Sequence, residues 1–356
     1  MRKISKLHIE KFRHLENLEI NLGKRITIVS GTNGTGKTSI LGLIGHIFTY
    51  PKSEKTLLNT LFETQFSEVF RFSDKHDKGG EHTYSLEFED GEMKKAISRE
   101  TTEKNKKRFR IDVGERQKSK GKFVRPVIYL SLKRLVPLAQ EKEARIEFGI
   151  EDKLDDELKK LYSQYYNQIF STSLNVSPTH TRSPNKESYS PTPDNYDALG
   201  ISAGQDNIGQ IILSLLSFKS LKNTEIDYDG GILIVDEIDA TLYPAAQTNL
   251  MNLILRVSKE LDLQVIFTTH STDILSFISS KNSSNFKHHT EFVYLDNTSG
   301  IVVLKQGISE MEKLIADLRH EVSPNFPINK VNLYFEDGEA KLFFNNLIKS
   351  TGLSKK

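Results

Sequence analysis

The chain opens on alternation. Apolar side chains recur in a strand-like pattern over residues 4–12 and 18–22, then run unbroken over 26–29, which predicts strand, turn, strand, turn, strand at the start of the chain. A glycine-rich stretch follows, and apolar positions return at helical spacing over 40–48. Runs at 84–88 and 94–97 flank Asp90 and Gly91, a hairpin signal, and 127–130 is a short buried-strand candidate. Helical spacing returns over 154–170 and 208–218, while 231–235 is an unbroken apolar run and 263–267 is apolar but for Gln264, as strands covered on both faces are. Residues 171–195 are crowded with Ser, Thr, Asn and Pro and hold almost nothing apolar. They read as a mobile loop, an insertion at 171–197 inside one domain, because the motifs on its two sides need each other. A helical run over 309–320 stops where Ser323, Pro324 and Pro327 break it, which sets a domain over 1–328 and a separate short piece over 329–356.

The glycine-rich stretch changes this from pattern to chemistry. Gly31, Gly36, Lys37 and Thr38 stand at the spacing of a phosphate loop, between the predicted strand at 26–29 and the helix at 40–48. Glycines let successive backbone N–H groups turn inward around a phosphate, and the helix that follows presents its positive end. The candidate nucleotide contacts are Asn33, Gly34, Thr35, Gly36, Lys37, Thr38 and Ser39, with Lys37 for the β- and γ-oxygens and the Thr38 hydroxyl for Mg²⁺. The run at 231–235 ends in Asp236 and Glu237, as a second metal-and-water strand requires. Asp236 reaches the Mg²⁺ sphere, and Glu237 polarises the attacking water. The run at 263–267 leads to His270, placed to hydrogen-bond the γ-phosphate or that water, because ligands gather at the carboxyl ends of parallel strands. Ser202, Ala203, Gly204 and Gln205 precede the helix at 208–218 and make a second anion-binding helix start.

Composition adds limits. A chain of 356 residues with 37% apolar content fits one large or two modest domains, and no apolar stretch approaches the roughly 18 residues of a membrane span. The expectation is a soluble, cytoplasmic protein with no membrane partner. Zero cysteines exclude disulfides, thiolate metal sites and thiol nucleophiles. A net charge of +2 from 49 basic and 47 acidic side chains leaves nucleic-acid affinity to local patches. One such patch runs through Lys106, Lys107, Arg108, Arg110, Lys122 and Arg125, where sequence-blind DNA binding through phosphates is expected.

The ordered set of 31–38, 201–205, 234–244 and 268–271, with the opening hairpin at 7–18, resembles ABC-type ATPases of the SMC, Rad50 and RecF branch. The resemblance implies an α/β P-loop NTPase with a mostly parallel core sheet, an N-terminal antiparallel β-subdomain and a helical insertion. It implies ATP and Mg²⁺ as ligands and a homodimer or higher homo-oligomer, in which the signature loop at Ser202 and Gly204 of one head closes on the γ-phosphate held by the other. Asp239 matches the D-loop that couples the two sites. Three departures stand out: Ala203 replaces a glycine, Ile201 a leucine, and no Q-loop glutamine follows 127–130, where Arg134 is expected to substitute for its contact. The tail at 330–339 resembles the start of a TOPRIM domain as found after the ATPase of OLD-family proteins, with Glu336 at the metal-binding glutamate. That likeness implies control of a nuclease in a following or separate module, with antiphage defence as a family-level expectation. A RecF-like repair ATPase without nuclease, or an ATP-gated assembly scaffold, are the alternatives.

Overall fold

The structure is a computed structural model that describes residues 2–70, 73, 77–103, 106–114, 121–136, 147–148, 154–182, 187–194, 201–281, 286, 288–297, 300–307, 314–315 and 335–350, with backbone alone at 66–67, 101–103, 106–110 and 348–350. The chain divides into two compact units, Met1–His320 and Glu321–Lys356.

In chain order the first unit contains β1 (Ile4–Phe12), β2 (Leu15–Asn21), β3 (Ile26–Gly31), α1 (Lys37–His46), β4 (Phe48–Thr49), α2 (Phe66–Val69), β5 (Thr83–Phe88), β6 (Met93–Glu103), β7 (Lys106–Val113), β8 (Phe123–Val124) and β9 (Val127–Leu130). It continues with β10 (Glu147–Phe148), α3 (Asp156–Phe170), β11 (Val176–Arg182), β12 (Glu187–Pro193), α4 (Ala203–Thr224), β13 (Gly231–Val235), α5 (Pro244–Glu260), β14 (Leu263–Thr268), α6 (Thr272–Ser280), β15 (Thr290–Asp296) and β16 (Val303–Gln306).

The central sheet has six strands in the order β16-β15-β3-β14-β13-β9, parallel except for the antiparallel edge pair β15 and β16. The unbroken apolar runs follow from burial on both faces. Along β13, Ile232 and Ile234 join the core that holds α1 and β1, while Leu233 and Val235 join the core that holds α3, α4 and α5. Five strands in the order β2-β1-β5-β6-β7 make the antiparallel N-terminal sheet, and its apolar face shares the first core with α1. The architecture is therefore the α/β P-loop NTPase fold expected, with a mostly parallel core and an antiparallel β-subdomain.

The insertion departs from expectation. Residues 171–197 read as a mobile loop, yet β11 and β12 pair antiparallel from Val176↔Pro193 to Arg182↔Glu187, with β10 beside them. The reason is hydrogen bonding where hydropathy is silent. Thr181, Ser188 and Ser190 are buried; the Thr181 hydroxyl bonds the Ser190 hydroxyl at 3.3 Å, and Ser188 donates to Asp206 of α4 at 3.1 Å. Tyr189 is fully buried, and its carbonyl accepts from the Tyr162 hydroxyl of α3 at 2.8 Å. The insertion thus combines helix α3 with a small sheet.

In the second unit the described part is Phe335 to Asp337 and a helix, Gly338–Ser350, whose start is capped by Asp337 accepting from the Ala340 N–H at 2.8 Å. The residues at 330–334, in the segment that resembles the start of a TOPRIM domain, lie outside the described residues, as does the helical run at 309–320 apart from 314–315.

Candidate nucleotide site

Parallel registry brings the site together. Val235 pairs with Phe267 and Thr268 with Val29, so β13, β14 and β3 end at one edge of the sheet, and the residues that follow them share that edge. Gly31 has φ 143° and lies against the Leu295 backbone, where an added Cβ would come within 2.2 Å of the Leu295 carbonyl oxygen. Gly36 caps α1 in the left-handed region at φ 91°. These backbone conformations are the ones that turn N–H groups inward, and glycine adopts them without strain.

The Lys37 ammonium, on a side chain only 8% exposed, donates to the carbonyls of Gly31 at 3.0 Å and Thr32 at 2.9 Å. Burial pushes its pKa down, and the carboxylates of Asp236, Glu237 and Asp239 oppose that push. The Thr38 hydroxyl donates to Asp236 Oδ2 at 2.8 Å, and Thr268 donates to Asp236 Oδ1 at 2.7 Å, so both oxygens of a buried carboxylate are held. A hydroxyl and a carboxylate joined at that distance form a hard-oxygen donor pair suited to Mg²⁺, which takes few protein ligands and fills its shell with phosphate and water. Thr38 and Asp236 are the residues that would hold it.

Glu237 sits in the left-handed region at φ 49°, unusual for a residue with a side chain. Its N–H donates to Thr268 Oγ1 at 2.6 Å. His270 is half-buried, and its pKa is lowered by burial and by Lys37 against the opposing carboxylates of Asp239, Glu237 and Asp236. Among the described residues, the buried Asp239 Oδ1 has no hydrogen-bond partner. Lys37, Glu237, His270 and Asp239 therefore act on one another electrostatically at the edge where β3, β13 and β14 end.

Ser202 caps α4 in a reciprocal box with Gln205: Gln205 N–H to Ser202 Oγ at 3.3 Å, and Ser202 N–H to Gln205 Oε1 at 3.0 Å. Ser202 is exposed and Ala203 partly so, whereas Gly204 is buried against the D-loop, where a Cβ would lie 2.6 Å from the Thr241 carbonyl oxygen.

Some expectations move. Arg134 does not stand as a free ligand contact: its guanidinium, 6% exposed, is engaged with protein acceptors. From the basic patch, Arg125 is buried and donates to the Arg2 carbonyl, so it is not an open phosphate contact, while the partly buried Lys122 reaches the Thr64 carbonyl at 3.4 Å. Lys106, Lys107, Arg108 and Arg110 lie on β7, whose side chains at those positions are outside the description. Glu336 is exposed. Two participants were not assigned roles from sequence. Thr268 joins Asp236 to the Glu237 N–H, and its place at the end of the strand beside β13 was the available signal. His14, on the β1–β2 turn, approaches Gly36 closely enough that a Cβ there would meet its Nε2 at 3.1 Å.

Known proteins match in parts. A family model described as an AAA domain matches residues 6–176, and one described as an AAA ATPase domain matches 139–275. The DNA replication and repair protein RecF of Nitrosococcus oceani is 30% identical over 105 residues, which is 29% of this chain and 29% of that protein. Among solved structures, an Smc head bound to the C-winged helix domain of ScpA superposes with a TM-score of 0.52 at 14% identity, over 86% of this chain and 99% of that one. An SMC head domain from Thermotoga maritima gives a TM-score of 0.45 at 13% identity, over 85% and 98%. Identity that low speaks for the fold alone: the chain has the P-loop α/β fold of an SMC head, and the two AAA-type family models match overlapping stretches that each cover less than half of it.

Proposed function

We propose that this domain binds ATP with Mg²⁺ and hydrolyses it at a site completed by a second copy of the chain. The observation that carries the reading is the hydrogen-bonded line from Thr38 through Asp236 to Thr268, with Glu237 fixed at its end. Lys37 exchanges the carbonyls of Gly31 and Thr32 for phosphate oxygens, and the N–H groups of 33–39 surround the β-phosphate. Thr38 and Asp236 would hold Mg²⁺, which would supply charge to offset that of the phosphates. The Glu237 carboxylate accepts the proton of the attacking water as its oxygen bonds the γ-phosphorus and the bridging oxygen leaves with ADP; His270 orients that water or the γ-phosphate. Ser202 of the second copy, with its helix start, supplies donors to the γ-phosphate. Glu237→Gln keeps the shape and removes the base. Its kcat is expected to fall by about a hundredfold or more with nucleotide still bound, and unchanged turnover would remove Glu237 from this role.

The output we propose is DNA-directed. The RecF match and the basic sequence of β7 support it, and neutralising Lys106, Lys107, Arg108 and Arg110 together is expected to weaken DNA binding and flatten its dependence on log salt. Equal affinity and slope in that variant would remove the patch. For the task on DNA, the tail around Glu336 supports OLD-like control of a nuclease, and the RecF similarity supports repair without one. An Asp-x-Asp segment encoded beyond Lys356 or in an adjoining gene decides for the nuclease, and its absence from both decides against it.

A further inference from the structure

Glu237 holds a backbone conformation that costs a residue with a side chain on the order of 1 kcal/mol or more, so something in its surroundings must impose it. On its amino side the restraint is the Thr268 hydroxyl, which accepts the Glu237 N–H at 2.6 Å. On its carboxyl side it is Arg134, whose Nη2 donates to the Glu237 carbonyl at 2.8 Å, alongside the Ala240 N–H at 3.1 Å. The same guanidinium reaches two further elements. Its Nη1 donates to the carbonyls of Leu130 at 3.2 Å and Ser131 at 3.0 Å, at the end of β9, and its Nε donates to Asn207 Oδ1 of α4 at 2.7 Å. Asn207 is fully buried and passes the connection on, donating from Nδ2 to the Ala240 carbonyl of the D-loop at 2.8 Å.

We infer that Arg134 is a positioning residue for hydrolysis: it locks the peptide that carries Glu237 and ties it, through Asn207, to the helix that presents Ser202 and to the D-loop. The chemistry explains the choice of residue. A guanidinium offers five donors in a rigid fork, enough to satisfy acceptors on three elements at once, while a glutamine offers two. Burial lowers the Arg134 pKa to about 10, with Asp236 and Glu237 holding it up, so it stays cationic beside the carboxylates it positions. Because α4 and the Glu237 peptide share one fastening, a shift of the Ser202 helix when a partner head docks reaches the base directly. The inference rests on Glu237 as the base, and its test separates the two claims.

Arg134→Lys keeps the charge and breaks the fork. Steady-state turnover, the Kd of a fluorescent ATP analogue and the thermal midpoint are measured on the full chain beside Glu237→Gln. The expected result is a fall in kcat of about tenfold to a hundredfold, with the nucleotide Kd near that of the parent, since displacing a reacting group by about 1 Å costs on that order. Asn207→Ser is expected to lower kcat in the same direction by less, and the double variant to fall short of the product of the two. A kcat within about twofold of the parent in R134K overturns the inference, and so does a loss that appears in the nucleotide Kd rather than in kcat. Should R134K not fold, N207S decides by the same criteria. If E237Q turns over normally, the base assignment falls; if E237Q is inactive and R134K is normal, the positioning role alone falls.

Discussion

The phosphate-loop half of the site is assembled inward: Lys37, Asp236 and Thr268 are buried, with Lys37 held by the carbonyls of Gly31 and Thr32 and Asp236 held by the hydroxyls of Thr38 and Thr268. The signature motif faces the other way, with Ser202 exposed and its hydroxyl capping its own helix, although Gly204 two residues on is packed against Thr241. Under the proposed function, the difference divides the labour along one chain. A buried and prepaired half suits capture of a ligand that must shed its water, while an exposed helix start suits a ligand presented by another molecule. The shared fastening at Arg134 and Asn207 is where the two halves meet within the domain.

The comparison can be broken at either end. The largest effect is expected from Lys37→Ala, which removes the ammonium proposed to exchange the Gly31 and Thr32 carbonyls for phosphate oxygens and should weaken ATP binding by about a hundredfold or more, measured by equilibrium titration. Near-normal affinity would mean that the inward half does not capture the nucleotide. Ser202→Arg should act on the outward half alone, lowering turnover by about tenfold or more while single heads still bind ATP; a matching loss of binding would erase the division.

A further effect lies outside the site and concerns stability alone. His46, at the end of α1, is held to a pKa of about 4 by burial and by Lys122. Its folded pKa lies below its unfolded value, so the unfolded chain binds the extra proton. Stability is then full above about pH 6.5 and is lost as pH falls toward about 4, by on the order of 3 kcal/mol. His46→Leu should flatten that acid limb in urea titrations between those pH values; an unaltered limb would place the acid sensitivity elsewhere.

What could be read in the sequence was what local spacing encodes. The loop from Gly31 to Thr38 and the strand ending at Asp236 are contiguous, and each carries its chemistry within a few residues. The hairpin at 176–193 was misread because its buried positions are hydroxyls satisfied by hydrogen bonds to Asp206 and to one another, which hydropathy counts as solvent-facing. Arg134 was expected to face the ligand. Its partners Asn207 and Glu237 lie 73 and 103 residues away in sequence, so only the tertiary structure shows that the guanidinium is already engaged. Thr268 was visible as the end of an apolar strand, and its role needed the registry of β14 against β13.

The most direct measurement of the composite site mixes two variants that are each expected to turn over slowly, Lys37→Ala and Ser202→Arg. In a two-fold pair of unlike heads, the intact phosphate loop of one faces the intact Ser202 of the other, so one competent site forms. Mixing is therefore predicted to restore ATPase activity to about a quarter of the parent value at equal concentrations, since half of the pairs are mixed and each has one working site of two. Activity that stays at the sum of the two variants alone would contradict the account.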